Sequence, residues 1–211
     1  MNGEIYNPNF LRWHGSQRRI GITGGIASGK SSIGQFLQEV KGFPVLDADV
    51  YAQAVLAPGT KSTMTVLQRY GDVVKDQLAN EQPTINRSAL SKIIFTDSKE
   101  RMWIEKLIHP IVQKRLEQEV NKQKNEPILA LIIPLLFEAN LTALCSEVWV
   151  VNCDQDQQLK RLMQRDELTK DEAMLKIKAQ WPLKEKIHLA DVVINNTGGV
   201  MEWLPEVDNL C

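Results

Sequence analysis

Apolar residues gather in five short runs, at 19–23, 43–46, 128–133, 148–151 and 192–194, each rich in Val, Ile or Leu and separated by longer stretches with helical spacing. That rhythm predicts an α/β fold, a mostly parallel five-stranded sheet covered by helices on both faces. The run at 128–133 has no polar alternation and follows Asn125-Glu126-Pro127, which marks it as a central strand buried on both sides.

Two of the helical stretches are longer than a crossover between parallel strands requires. The first, 60–125, carries Leu67, Leu90, Ile93, Ile94, Leu107, Ile108, Ile111, Val112 and Leu116 at helical spacing and is expected to be a helical insertion with room for substrate recognition. The second, 155–187, holds Lys160, Arg161, Arg165, Lys170, Lys176 and Lys178, and reads as a basic lid or as a solvated pair of amphipathic helices. The sheet-bearing core is then 18–59 with 126–154 and 188–211. Residues 1–17, with Asn7, Pro8, Asn9 and Gly15, read as a flexible tail.

The 211 residues allow one well-buried core with small lobes but not two full domains. A net charge of −1 provides no global field for nucleic acid or anionic membrane, so an anionic substrate needs a local cradle. Cys145, Cys153 and Cys211 have no CxxC spacing and His14, His109 and His188 no zinc pattern; reduced thiols and a cytoplasmic setting are expected. No stretch has the roughly 18 apolar residues of a membrane span.

The cradle is at Gly24-Gly25-Ile26-Ala27-Ser28-Gly29-Lys30-Ser31, which satisfies GxxxxGK[ST] between a strand-like run and the helical Ser32-Ile33-Gly34-Gln35-Phe36-Leu37. Its glycines let the backbone curl so that N–H groups converge on a phosphate, and the following helix adds its positive end. Lys30 supplies a point charge to the β- and γ-phosphates, and Ser31 offers a hydroxyl to Mg²⁺. The motif leaves ATPase, GTPase, motor and kinase open, although Asn121-Lys122-Gln123-Lys124 lacks the acid of a guanine-reading motif.

Asp47 and Asp49 follow the second strand, at the edge where open α/β sheets bind ligands. One can cap the helix suggested by 50–56 while the other orients an acceptor hydroxyl and takes its proton; Asp49 is the candidate base.

The chain from Ile20 to Ser31, followed by Val45-Leu46-Asp47-Ala48-Asp49, resembles the dephospho-coenzyme A kinases. The likeness continues through Ala57-Pro58-Gly59, Leu107-Ile108-His109-Pro110, Pro134-Leu135-Leu136-Phe137-Glu138, Met163-Gln164-Arg165-Asp166 and 190–198. It implies a P-loop kinase that transfers the ATP γ-phosphate, with Mg²⁺, to the 3′-hydroxyl of dephospho-coenzyme A; action as a monomer is a separate expectation. By position it implies catalytic roles for Asp49, Lys30 and Arg165. Gly24, Gly25, Ile26, Ala27, Ser28, Gly29, Lys30, Ser31, Ser32, Arg161 and Asn196 would bind ATP, Asp49 and His109 the acceptor, and Ser31 the metal. Read without the family, His109 is a residue at a proline kink, Arg165 pairs with Asp166 or Glu167, and Asn196 belongs to an ordinary turn.

Two positions depart from the family pattern. Ala27 stands where a further glycine is usual, which is tolerable at negative φ. Gln53 stands where an arginine commonly follows the Asp-Ala-Asp motif, which removes a cation that could hold acceptor phosphate. A kinase for another small acceptor, such as a nucleoside monophosphate or a sugar acid, shares the same features, and a nucleotide-driven switch shares the cradle.

Overall fold

The computed structural model describes residues 11–77 and 82–211. Five strands form one sheet: β1 (Arg18–Gly24), β2 (Val45–Asp47), β3 (Ile128–Ile132), β4 (Glu147–Asn152) and β5 (Val192–Asn195), in the order β2-β3-β1-β4-β5. All four pairings are parallel. Because side chains alternate across a strand, the apolar runs of β3 and β4 feed two layers. Leu129, Leu131, Val148 and Val150 enter one core, while Ile20, Ile22, Ala130, Ile132, Trp149 and Val151 enter the other. This explains why the run at 128–133 shows no polar alternation: neither face meets water.

The second face is covered by α1 (Lys30–Glu39), through Ile33 and Leu37, and by α9 (Val200–Leu210), through Trp203 and Val207. The first is covered by α2 (Ala48–Val55) and the far half of α5 (Ser98–Lys122), whose Val112, Leu116 and Val120 are buried there. From β1 the chain crosses to the edge strand β2, then returns through β3 to β4 on the other side of β1. The carboxyl end of β1 therefore lies where the winding reverses, the place at which such sheets open a crevice.

Within the long insertion, α3 (Lys61–Tyr70), α4 (Arg87–Thr96) and the first half of α5 close a small core of their own around Val66, Val74, Ile85, Leu90 and Ile104. Asp97 caps α5 by accepting from the N–H groups of Lys99 and Glu100, and α5 then runs as one helix through Pro110. His109 thus sits mid-helix rather than at a break. The stretch after β4 folds as α6 (Gln155–Asp166), α7 (Lys170–Lys178) and α8 (Leu183–His188); Thr169 and Glu172 close a capping box on α7. No helix among the described residues is long and apolar enough to cross a membrane.

One expectation needs correction. Residues 12–17, assigned to a flexible tail, are fastened to the core. The Trp13 amide donates to Cys145 O (2.9 Å), buried Gln17 donates to the carbonyls of Gln123 and Glu126 (2.7 and 2.8 Å), and the Arg19 guanidinium lies 3.5 Å from the centre of the Trp13 ring. Asn, Pro and Gly in this stretch suggested a loose chain, but Trp13 and Gln17 provide packing and hydrogen bonds that composition does not register. The rest of that segment, 1–10, lies outside the described residues.

Candidate active site

The loop after β1 turns sharply because Gly24 has φ 146°, a conformation in which a Cβ would come within 2.6 Å of Val151 O. Gly29, at φ 103°, lies directly over the Asn196 amide and leaves no room for a side chain. Ala27 also adopts positive φ, 57°, contrary to the expectation of negative φ. A loop that aims consecutive N–H groups at one point needs left-handed residues, and here an L-residue bears that strain.

Lys30 opens α1 and is buried, its Nζ donating to the carbonyls of Gly25 (2.7 Å) and Gly24 (3.3 Å). Burial pushes its pKa down to about 8; Asp49 opposes the shift, while Lys186 and Arg165 add to it. Ser28 Oγ is buried beneath the loop with no hydrogen-bond partner among the described residues. The Ser31 hydroxyl-bearing side chain is exposed in the first turn of α1.

The two carboxylates after β2 divide their labour. The strand ends at Asp47, which accepts from the Asp49 amide (2.8 Å) and so caps α2. Asp49 is left in the first turn of α2, lining the cleft that contains the loop, Lys30 and Ser31. Desolvation by the cleft walls, and then the Asp47 charge, raise its carboxyl above the ordinary value, with Lys30 and Arg165 pulling the other way.

Arg161 and Arg165, one turn apart on α6, line the opposite wall of the same cleft. Arg165 also pairs with Asp166 (2.7 Å), which holds it charged without removing it from the cleft. Arg161 reaches Asn196 O (3.3 Å) and Cys153 Sγ (3.5 Å). Asn196 is placed differently from the sequence expectation: its side chain is buried under the loop, where Nδ2 donates to Ser28 O (2.7 Å), so it holds the cradle from below. His109 lies apart from the phosphate cleft, in an apolar pocket of about 230 Å³ formed by α2, α5 and the turn after β3. Asp49 stands at the boundary between the two spaces.

Three participants, Gln180, Gln158 and Lys186, carry no sequence signal of their own. Gln180 Oε1 accepts from the Ile26 amide (2.7 Å), and Gln158 Nε2 donates to Ile26 O (2.6 Å), so both gate the tip of the loop. Fully buried Lys186 pairs with Glu138 (2.7 Å) and donates to Pro134 O (3.0 Å), while Glu138 accepts from the Trp181 amide (3.1 Å). This group ties the turn after β3, which floors both spaces, to the segment between α7 and α8. Glu138 lies within a motif already noted; Lys186 reads in the sequence as one surface lysine among several.

The geometry agrees with what comparison with known proteins finds. Residues 18–202 match the family described as Dephospho-CoA kinase. A dephospho-CoA kinase of Prochlorococcus marinus (strain MIT 9313) is 51% identical over 200 residues, covering 95% of this chain and 98% of its own. One from Synechocystis sp. is 42% identical over 191 residues, 90% of this chain and 93% of its own. Among solved structures, a Thermus thermophilus protein superposes with a TM-score of 0.73 at 28% identity, covering 93% of this chain and 97% of its own. The dephospho-CoA kinase from Campylobacter jejuni superposes with a TM-score of 0.62 at 25% identity, covering 91% and 94%. A phosphate cradle facing a lone carboxylate, matched along nearly the whole chain to these relatives, places the protein in the dephospho-CoA kinase family.

Proposed function

We propose that the protein transfers the γ-phosphoryl group of ATP to the ribose 3′-hydroxyl of dephospho-coenzyme A, yielding coenzyme A and ADP as the last step of coenzyme A formation. The observation that carries this reading is the position of Asp49, shared between the phosphate cleft and the apolar pocket beside His109. A hydroxyl held there meets a base on one side and the cradle on the other.

In the reaction the 3′-oxygen forms a bond to the γ-phosphorus, its proton passes to Asp49, and the bond from the γ-phosphorus to the bridging oxygen of ADP breaks. The raised Asp49 carboxyl suits it to take that proton. Lys30 and the two α6 arginines face the charge that spreads over the transferring group and the departing ADP. His109 and the apolar wall seat the acceptor, and closure of α6 and α7 keeps water from the γ-phosphate. Asn196 supports the nucleotide by holding the loop beneath it.

The oxygen donors here suit Mg²⁺: Ser31 and Asp47 border one groove, Asp49 faces the adjoining cleft, and hard oxygens are the ligands this ion prefers. When bound, the ion supplies charge neutralisation of the nucleotide phosphates, with Ser31 as its protein ligand. The test is ADP release from ATP and Mg²⁺ with dephospho-coenzyme A, AMP, UMP, CMP, shikimate, gluconate or no acceptor. Stimulation by dephospho-coenzyme A alone is expected; stimulation by another acceptor, or by none, would overturn the proposal.

A further inference from the structure

The insertion and the lid face each other across a second cleft, about 390 Å³, which the phosphoryl-transfer residues do not occupy. Arg87, Ser91 and Lys92 of α4 form one wall and Lys176 of α7 the other. Two carboxylates border it, both already engaged. Asp166 holds Arg165 (2.7 Å) and Lys176 (3.0 Å), while Glu172 accepts from the Thr169 amide and hydroxyl (3.0 and 2.8 Å), with Lys92 3.8 Å away. Arg87 has no carboxylate partner among the described residues; it donates to the backbone carbonyl of Gln53 (3.1 Å). The cleft therefore carries an excess of positive charge.

Its position relative to the reacting centre follows from α2. Gln53 is four residues beyond Asp49 on α2, about 6 Å along its axis, and Arg87 reaches its backbone carbonyl, so Arg87 meets α2 rather more than one turn from the base. On the opposite side, Asp166 is bonded to Arg165, which lines the phosphate cleft with Asp49. The cationic cleft thus begins where the site of hydroxyl activation ends.

The acceptor brings a base, a ribose and a 5′-diphosphate. The apolar pocket beside His109 has no Lys or Arg in its walls and would leave phosphates uncompensated. A ribose with its 3′-oxygen at Asp49 and its base in that pocket extends its 5′ substituent away from both. Resting on the function proposed above, we infer that Arg87 and Lys92, with the Ser88 and Ser91 hydroxyls, bind the 5′-diphosphate of the acceptor between insertion and lid. Arginine's planar fork suits such a group. The sequence has no cation at position 53; Arg87 brings one to that place from another helix.

The experiment compares Arg87→Ala, Arg87→Lys and the Arg87→Ala/Lys92→Ala pair with the wild-type chain, after confirming unchanged thermal melting. For Arg87→Ala the KM for dephospho-coenzyme A should rise about tenfold or more, and further in the double variant, while the KM for ATP changes little and kcat at saturating acceptor falls far less. Arg87→Lys should recover part of the loss. Inhibition against dephospho-coenzyme A at saturating ATP provides the second readout. ADP-ribose, which carries the 5′-diphosphate, should weaken in step with the acceptor, whereas adenosine should not. An unchanged acceptor KM, or equal weakening of ADP-ribose and adenosine, would overturn the subsite. Failure of the wild-type chain to phosphorylate dephospho-coenzyme A at all would overturn the underlying function first, before any variant is compared.

Discussion

Two buried lysines lie at the phosphate cleft, Lys30 lining it and Lys186 bonded to Pro134 in its wall, and they are held in opposite ways. Lys30, 8% exposed, has two backbone carbonyls around its ammonium and no carboxylate in contact. Lys186, fully buried, has Glu138 at 2.7 Å and Pro134 O at 3.0 Å. Burial lowers the pKa of both, but Lys186 recovers part of the cost from a paired charge, whereas Lys30 feels Asp49 and Asp47 only through space. A buried cation without a contacting counter-ion is a poor stabiliser and a strong attractor for an incoming anion; a paired one is architecture. The contrast separates the lysine proposed to handle phosphate from the one that ties the turn after β3 to α8.

Substituting the two lysines should break the comparison most plainly. Lys30→Met removes the unneutralised charge and leaves no buried anion behind, so turnover should fall about 10²–10³-fold while thermal stability holds or rises. Single-turnover kinetics and a melting curve measure both; a folded variant with near-normal turnover would remove Lys30 from the chemistry. Asp49→Asn sharpens the same side of the contrast. It keeps the shape of the cleft but not the proton acceptor, so transfer should drop about 100-fold with ATP binding retained. Loss of ATP binding in that variant would instead make Asp49 a part of the nucleotide site.

Lys186→Met should act through stability. It strands Glu138, whose side chain is only 14% exposed, which costs about 3–5 kcal/mol, and the Glu138→Leu/Lys186→Met pair should recover most of that loss. Denaturant unfolding of both variants tests the claim. If the single variant melts normally yet loses turnover as far as Lys30→Met does, then Lys186 belongs to the reaction and the distinction fails.

The sequence makes the core legible and the connections less so, for a physical reason. Strand runs and the cradle rest on local rules: β-branched and aliphatic residues in short blocks, then glycines at fixed offsets before a lysine. All five strands lie within two residues of where the apolar runs place them, and Asp47 and Asp49 separate into cap and cleft residue as helix capping allows. The Lys186 pair with Glu138, the Gln180 contact with the Ile26 amide and the Asn196 support of Ser28 join residues 48, 154 and 168 positions apart. None has a period or a spacing to reveal it. The packed Trp13–Gln17 hook escapes for the same reason, since its partners are at Arg19, Gln123, Glu126 and Cys145.

Ala27 offers the smallest and most local test of how the cradle treats its charge. At φ 57° an alanine has its Cβ close to the neighbouring carbonyl, a strain of roughly 1–2 kcal/mol that glycine does not incur. Glycine also widens the unfolded ensemble, which returns roughly 0.4–1 kcal/mol to the other side. Ala27→Gly should therefore be neutral to about 1.6 kcal/mol stabilising, a rise of up to about 6 °C in Tm for a chain of this size. The loop's N–H groups keep their places, so the KM for ATP should stay within about twofold of the wild-type value. A clear fall in Tm would show that the Ala27 methyl group contributes packing worth more than its strain. The cradle that holds Lys30 would then depend on side-chain contacts as well as on backbone shape, and the contrast with the paired Lys186 would narrow.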